Sequence, residues 1–259
     1  MTVDALLADT TADLPRAGFW RRWLATIIDT IVVMFLFQLL VAVLFALTAG
    51  AVQMDSGLFS ICTAEKTLPQ QALDPPPPHD SNFARTCRFS FFGARTGSTL
   101  TVGRITREGT TTTTVEQGYM LDKDGKPIRG TSIDGIAELA LLGYLIAMIW
   151  KTGRTLGARV LRVRVVDIAA PTTSGIPLHK VIARYLAMTI GSLPLFVVLL
   201  YQSAAAGGDA DAMFIAGHFK WFTYTGVLAA LWGLLLIFQT AAKTDPVYDR
   251  LAGTAVLKE

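Results

Sequence analysis

Residues 20 to 49 read WRRWLATIIDTIVVMFLFQLLVAVLFALTA. The apolar part of this stretch, residues 23–49, is longer than the roughly 20 residues that a helix needs to cross the hydrocarbon core of a bilayer. Two arginines precede the run, and Asp29 lies inside it. A carboxylate inside a spanning helix costs free energy on insertion, so it marks a residue that has a partner or a function.

The composition of the whole chain agrees with a membrane protein. Hydrophobic residues make up 52% of the sequence and charged residues only 17%, whereas about a quarter of a typical soluble domain is charged. The net charge of +3 is small, and the basic residues lie in loops beside apolar runs. This pattern does not indicate nucleic-acid binding, which requires a basic stripe or patch.

Three further apolar runs of near-spanning length follow the first one. They predict an all-α transmembrane fold: a four-helix membrane bundle with an extracytoplasmic β-rich insert between helices 1 and 2. Pro194, in the third run, predicts a kink there. The predicted segments are a cytoplasmic N-terminal segment (1–22), transmembrane helix 1 (23–49), the extracytoplasmic insert (50–132), transmembrane helix 2 (133–150), a cytoplasmic basic loop (151–180), transmembrane helix 3 (181–201), a short outer loop (202–220), transmembrane helix 4 (221–240) and a cytoplasmic C-terminal tail (241–259).

The short loops predict the orientation. Residues 151–180 contain six basic residues and a single acid, Asp167, whereas residues 202–220 contain one lysine and two aspartates. Short cytoplasmic loops carry an excess of Lys and Arg. We therefore expect residues 151–180 and both termini in the cytoplasm, where the arginines also contact anionic headgroups.

The insert has the composition of a small soluble domain. Threonine-rich and aromatic runs interrupted by Gly and Asp-Gly predict a β-meander. Both cysteines of the chain, Cys62 and Cys87, lie here. They would form a disulfide if the insert faces an oxidising compartment and would be free thiols if it faces the cytosol.

Charged residues near the membrane form the candidate site. Arg22 and Asp29 are seven residues apart, which is two helical turns less about 20°, so they share a face and we expect them to meet. Arg184 is a second basic partner for Asp29 if that acid only holds helices together. Asp249 and Arg250 follow the last run on the same side of the membrane.

Two short segments near these charges predict a β-ribbon. Residues 160–167, VLRVRVVD, alternate apolar and basic residues, and residues 252–257, AGTAVL, read as a strand. Period-two alternation is typical of a strand with one buried face. Pairing of the two segments would position Asp249 near the membrane.

The sequence resembles the RDD family of bacterial membrane proteins at three motifs in order. RWLATIID (22–29) matches the family's opening arginine and first aspartate, GRTLGARVLRVRVVD (153–167) its middle motif with Arg184 following, and DRLAGTAVL (249–257) its second aspartate. Many relatives have a histidine where this chain has Tyr248, and often a shorter connection in place of the insert. The resemblance implies a bacterial inner-membrane protein, and cation/proton exchange has been suggested for some members.

These observations predict one of two functions. In the first, a small cation/proton antiporter, alone or as a homo-oligomer, Asp29 binds protons and monovalent cations in turn, Arg22 modulates its affinity for protons, and Asp249 lies at the cytoplasmic mouth. The alternative is a non-catalytic membrane anchor or assembly module that presents the insert to an envelope partner. We expect no enzyme, cofactor or metal site, because the motifs of metalloproteases, zinc sites, serine hydrolases and phosphate-binding loops are absent from the sequence.

Overall fold

The computed structural model describes residues 15–65, 73–205 and 216–259. It divides into two compact units. One comprises Met1–Val33 and Leu141–Glu259, and the other comprises Met34–Ala140. We call them the helical unit and the sheet unit and describe each by itself.

Most residues of the helical unit belong to long apolar helices, and two of these helices also contain residues of the sheet unit. Within the part of the chain that the structure describes, four helices are long and apolar enough to cross a membrane: Phe19–Leu47, Asp134–Thr152, Leu178–Tyr201 and Lys220–Ala241. Each lies within a few residues of a predicted run. In the described ranges, the helices are α1 (Phe19–Leu47), α2 (Asp134–Thr152), α3 (Leu156–Val160), α4 (Leu178–Thr189), α5 (Leu193–Ala205), α6 (Ala216–Ala241) and α7 (Val247–Ala252).

The third apolar helix is interrupted just before Pro194. A 3₁₀ turn, Ile190–Ser192, separates α4 from α5, so the predicted kink is confirmed. Proline fits this position because its ring is tolerated in the first turn of a helix. A side chain at Gly191 would overlap the indole of Trp232 on α6, and Trp232 Nε1 donates to the Met188 carbonyl at 3.0 Å. The interruption is therefore packed against its neighbour.

The sheet unit contains an antiparallel meander. The five strands β2 (Phe59–Ala64), β3 (Phe83–Phe91), β4 (Ala94–Glu108), β5 (Thr111–Leu121) and β6 (Pro127–Ile128) pair in sequence order, as predicted. Residues on one face, including Ala84, Val102 and Tyr119, form its core. Two short strands, β1 (Val52–Gln53) and β7 (Thr131–Ser132), pair in parallel beside it.

The predicted all-α fold class is wrong. Helices make up 48% and strands 26% of the part of the chain that the structure describes, so the protein is mixed α/β. The four apolar helices of that prediction are present, but the segment between α1 and α2 forms a five-stranded sheet, which makes up most of the sheet unit. Runs rich in Thr, Val and aromatic residues favour strands, and here they are long enough to give strands of up to 15 residues.

A small ribbon completes the helical unit. Strand β8 (Val163–Asp167) pairs antiparallel with β9 (Thr254–Lys258), which confirms the predicted ribbon. Val163 and Val165 are buried, as the alternation predicted, and they pack with Val256 in a core that also contains Val181 of α4. The ribbon therefore joins the basic loop to the segment that follows the fourth apolar helix.

Cys62 and Cys87 are bonded as a cross-strand disulfide between β2 and β3. We expect alkylation without reduction to modify neither cysteine, and alkylation after reduction to modify both. Because the bond links residues 25 apart, its loss should destabilise the sheet unit by about 2–4 kcal/mol. Intact mass measured with and without reductant checks the pairing, and two alkylated cysteines in the unreduced protein would contradict it.

Candidate functional site

Asp249 is the centre of a buried charge cluster in the helical unit. Its side chain is completely buried. Oδ2 accepts a hydrogen bond from Arg22 Nη1 at 2.8 Å, and Oδ1 accepts from Arg184 Nη1 and, at 2.9 Å, from Thr254 Oγ1. Two guanidinium groups thus converge on one carboxylate, and the three charges sum to +1.

The local sequence explains how Asp249 reaches this position. Helix α7 begins after Pro246 and ends at Gly253, whose φ of 64° is in the left-handed region that glycine favours. Strand β9 begins directly after that turn at Thr254, whose hydroxyl donates a hydrogen bond to the Asp249 side chain. The residues DRLAGT (249–254) therefore contain the end of a short helix, a glycine turn and the start of a strand, and this local structure positions the Asp249 carboxylate.

The two arginines are held by further contacts. Arg184 is buried, and its guanidinium carbon lies 5.0 Å from the centre of the Tyr248 ring, within the range of a cation–π contact. Arg22 Nε donates to the Ala17 carbonyl at 2.9 Å, whereas its buried Nη2 has no hydrogen-bond partner among the described residues.

Asp29 lies in a separate polar pocket made of neutral groups. The residue is 2% exposed. Its Oδ1 accepts from Tyr144 Oη at 3.0 Å and from the Gly157 backbone N–H at 2.8 Å, and its Oδ2 accepts from Thr155 Oγ1. Within the described residues no Lys, Arg or His forms an ion pair with Asp29.

The GRTLG segment supplies most of these donors. Thr155 caps the N-terminus of α3, where its hydroxyl accepts from the Ala158 N–H at 3.2 Å. Tyr144 Oη similarly accepts from the Leu156 N–H at 3.0 Å. Since each hydroxyl oxygen already accepts a backbone N–H, its own hydrogen is left to point at Asp29. A side chain at Gly157 would overlap the carbonyl of Ala25 on α1, so only glycine allows this approach.

A cavity of about 200 Å³ connects the two groups. Asp29 and Thr155 line it, as do Arg22 and Arg184. Most of the remaining wall is apolar: Ala25, Leu145, Ile149, Ala158, Val163, Val165, Met188 and Val256. Its volume is several times the roughly 30 Å³ that a water molecule occupies in the liquid, so the cavity has room for a small ion with part of its hydration shell.

The structure corrects one predicted contact. Arg22 was expected to meet Asp29 on the shared face of α1, and it instead pairs with Asp249. The helical rise between the two residues is about 10.5 Å, whereas α7 brings Asp249 within 2.8 Å of the Arg22 guanidinium. The alternative pairing of Asp29 with Arg184 is also absent, because Arg184 pairs with Asp249 as well.

The remaining candidate residues divide between the two units. Arg250 is exposed and forms no ion pair among the described residues, since it points about 100° around α7 from Asp249. Arg21, the neighbour of Arg22, donates to the Leu161 carbonyl at 3.1 Å. Cys62 and Cys87 belong to the sheet unit and take no part in the cluster.

Sequence reasoning missed four polar residues around the two aspartates. They are Tyr144, Thr155, Tyr248 and Thr254. Thr155 and Thr254 each lie inside a motif that was recognised, so the motif itself was the available signal. Tyr144 lies within an apolar run, where nothing in the spacing distinguishes it from an interfacial tyrosine.

A scan against protein-family models, a search of curated proteins and a search of solved structures found no match. The resemblance to the RDD family therefore stays a prediction. Within the described residues there is also no group of three or more His, Cys, Asp or Glu that could hold a metal ion.

Proposed function

We propose that this chain is a multi-pass membrane protein that exchanges a monovalent cation for protons at Asp29. The observation that carries the proposal is the pairing pattern of the four charges. Both arginines pair with Asp249, and no cation of the described residues pairs with the buried carboxylate of Asp29. Of the two buried aspartates, Asp29 is therefore the one whose negative charge remains available to a mobile cation.

The surroundings of Asp29 suit this role. A buried carboxylate is costly unless it is hydrogen-bonded or neutralised. The hydroxyls of Tyr144 and Thr155 and the Gly157 N–H offset part of that cost without adding positive charge. The cavity leaves room for an ion beside the same side chain. A proton and a cation would compete for the carboxylate oxygens, and such competition is the basis of exchange.

The orientation and the type of membrane belong to the same proposal. We propose a bacterial inner membrane with both termini and the 151–180 loop in the cytoplasm. The excess of Lys and Arg in that loop over the 202–220 loop supports this arrangement. The three RDD-like motifs support it as well, because they contain Arg22, Asp29 and Asp249, and Arg184 follows the middle motif.

Flux through purified protein in proteoliposomes tests the proposal. We expect wild type to couple an imposed Na⁺, K⁺ or Li⁺ gradient to a pH change inside the vesicles, and Asp29→Asn to reduce that coupled flux to the level of empty vesicles. Asparagine keeps an oxygen for Tyr144 and Gly157 but carries no charge, so the variant should stay folded. The measurement is the fluorescence of a trapped pH indicator after a cation pulse.

Glu259→Gln is the matched control, because it removes a carboxylate from a half-exposed ion pair with Arg154 that lies outside the cavity wall. This control should retain wild-type flux. Two results would contradict exchange at Asp29. One is unchanged coupled flux in a folded Asp29→Asn variant, and the other is wild-type protein that shows no flux of any of the three cations.

The second candidate function is a membrane anchor that presents the sheet unit to an envelope partner. The observation that favours it is that Met34–Ala140 forms a compact unit with its own core and disulfide. Replacing residues 55–130 by a short linker distinguishes the two functions in the same flux assay. Flux retained by the linker variant assigns the activity to the helical unit. If wild type shows no flux, and the linker variant inserts into the membrane but loses the cellular function, the function belongs to the sheet unit.

A further inference from the structure

Five charged side chains line one cavity of the sheet unit without pairing with one another. The cavity has a volume of about 290 Å³, and we call it the charged pocket. Its charged residues are Glu65, Arg88, Arg95, Lys123 and Asp124. None of them forms an ion pair within the part of the chain that the structure describes, whereas Arg129 and Asp74 of the same unit do pair. Charges of both signs thus stay available to a ligand, and three cations against two acids give the pocket a net charge of +1.

A β-bulge in β4 brings two of the lining residues to one face of the sheet. The pairing of β3 with β4 shifts by one residue there, which leaves Thr96 as an extra residue on β4. Successive side chains of a strand point to opposite faces, so without the bulge Arg95 and Ser98 would lie on opposite faces. With it, both lie on the face that presents Arg88, the residue of β3 opposite Ser98. Bulges are frequent next to active sites, where they redirect a side chain.

Ser98 contributes an unused hydroxyl group to the lining. It is 2% exposed, and Leu121, which also lines the pocket, is 4% exposed. The Ser98 backbone N–H donates to the Gln53 side chain at 2.7 Å, which fixes the position of the residue. The hydroxyl itself has no hydrogen-bond partner among the described residues. Because buried polar groups are normally hydrogen-bonded, a polar ligand atom in the pocket would supply the missing partner.

The loop between β5 and β6 carries two of the charged residues on a fixed backbone. Asp122 Oδ1 accepts hydrogen bonds from the backbone N–H groups of Asp124 and Lys126, both at 2.8 Å. Arg95 Nη1 donates to the Lys123 carbonyl at 2.7 Å, so the loop is also attached to β4. The backbone that bears Lys123 and Asp124 is therefore ordered before a ligand binds, which reduces the entropy lost on binding.

We propose that the charged pocket binds a small amino acid with two carboxylates. Arg88 and Arg95 would bind the carboxylates, because a guanidinium group forms paired hydrogen bonds with a carboxylate, and Lys123 adds a third cation. The ammonium group of the ligand would bind to Glu65 and Asp124. Such a ligand has a net charge of about −1 at neutral pH, which balances the net charge of the pocket.

Size and hydrogen bonding agree with this class of ligand. The volume of about 290 Å³ is close to the lower end of the range for small-molecule sites, about 300–1,000 Å³. Glu65 Oε1 accepts from Thr86 Oγ1 at 2.7 Å, which holds this carboxylate in position, and Oε2 has no partner among the described residues. The pocket lies entirely within the sheet unit, so this inference is independent of ion exchange at Asp29.

Calorimetric titration of the full chain in lipid nanodiscs tests the proposal, with L-glutamate and L-aspartate as probes. Arg88→Gln removes one cation of the pocket, and the variant should fold because the Arg88 side chain makes no hydrogen bond or ion pair among the described residues. Arg85→Gln is the matched control. It removes the same charge from the same strand, three residues away, on the opposite face and outside the pocket lining. N-acetyl-L-glutamate, which lacks the ammonium group, and inorganic phosphate are titrated in parallel.

We expect at least one of the two amino acids to bind wild type saturably, with one molecule per chain. Arg88→Gln should weaken that binding about tenfold or more, because hydrogen bonds to a charged group are lost, whereas Arg85→Gln should bind as wild type does. N-acetyl-L-glutamate and phosphate should bind about tenfold more weakly than the amino acid, since neither offers an ammonium group to Glu65 and Asp124.

Three results would overturn the proposal. The first is wild type that binds neither amino acid saturably, and the second is equal weakening in Arg88→Gln and Arg85→Gln. The third is phosphate or N-acetyl-L-glutamate that binds as tightly as the amino acid, because the two acids of the pocket would then take no part. If Arg88→Gln does not fold, Lys123→Gln decides in its place, since the loop contacts of Lys123 are made by its backbone.

Discussion

Asp249→Asn is expected to lower the free energy of unfolding of the helical unit by about 3–5 kcal/mol, because removing one partner of a buried ion pair leaves uncompensated buried charge. Here one carboxylate compensates two guanidinium groups, and its side chain is fully buried. The amide that replaces it keeps one acceptor oxygen but carries no charge. Reversible unfolding in mixed detergent micelles, followed by far-UV circular dichroism, measures the change.

Two further variants separate charge from packing. Glu259→Gln breaks the half-exposed pair with Arg154 and should cost less than about 1 kcal/mol, as exposed pairs usually do. Adding Arg184→Met to Asp249→Asn removes one of the stranded cations and should recover part of the lost stability. If the double variant is as unstable as the sum of its single changes, charge compensation does not explain the role of Asp249.

Asp29→Ala is expected to have the second large effect, a loss of about 3 kcal/mol or more. Three buried donors, the hydroxyls of Tyr144 and Thr155 and the N–H of Gly157, would lose their acceptor. Each unsatisfied buried group costs about 1–3 kcal/mol. The same unfolding measurement applies, together with protease sensitivity of the 151–180 loop, because α3 would lose its contact with α1.

Asp29→Asn is the informative comparison for this variant. It retains an acceptor for two of the three donors, so it should lose only about 1 kcal/mol while losing the charge. A stable Asp29→Ala protein would mean that water replaces the carboxylate in the cavity and that the donors are not stranded. Similar instability of the alanine and asparagine variants would instead show that the negative charge itself holds α3 in place.

Local sequence patterns predicted the elements of the fold well. The lengths of apolar runs located all four long helices, the proline indicated the interruption before α5, and period-two alternation identified β8. These features depend on residues that are close in sequence, where helix rise, proline geometry and strand alternation leave few alternatives. The meander followed from the same kind of evidence. The fold class did not, since runs of Thr and aromatic residues do not reveal how large a sheet they build.

The contacts of the site depend on residues that are distant in sequence. Arg22 and Asp29 share a face of α1, and that geometry favoured a local pair. The acid that Arg22 contacts is 227 residues away, and its position depends on the turn at Gly253 and on the pairing of β8 with β9. Tyr144 approaches Asp29 from another helix, 115 residues away. Helical periodicity cannot rank such partners, so the charged residues of the site were predictable, whereas their pairing and the hydroxyl groups around them were not.

The position of Asp249 near the end of the chain determines when the buried charge cluster can form during synthesis. Arg22 and Arg184 are made with the first and third apolar helices, and Asp249 and strand β9 are made only after all four helices. Throughout insertion, both guanidinium groups must therefore be accommodated by lipid headgroups, water or the insertion machinery. The helices can reach their places in the bilayer at any time, but the cluster closes only when β9 pairs with β8. The charge cluster can thus form only after all four long helices have been made, and a nascent chain that stalls before Asp249 would leave both arginines without their carboxylate.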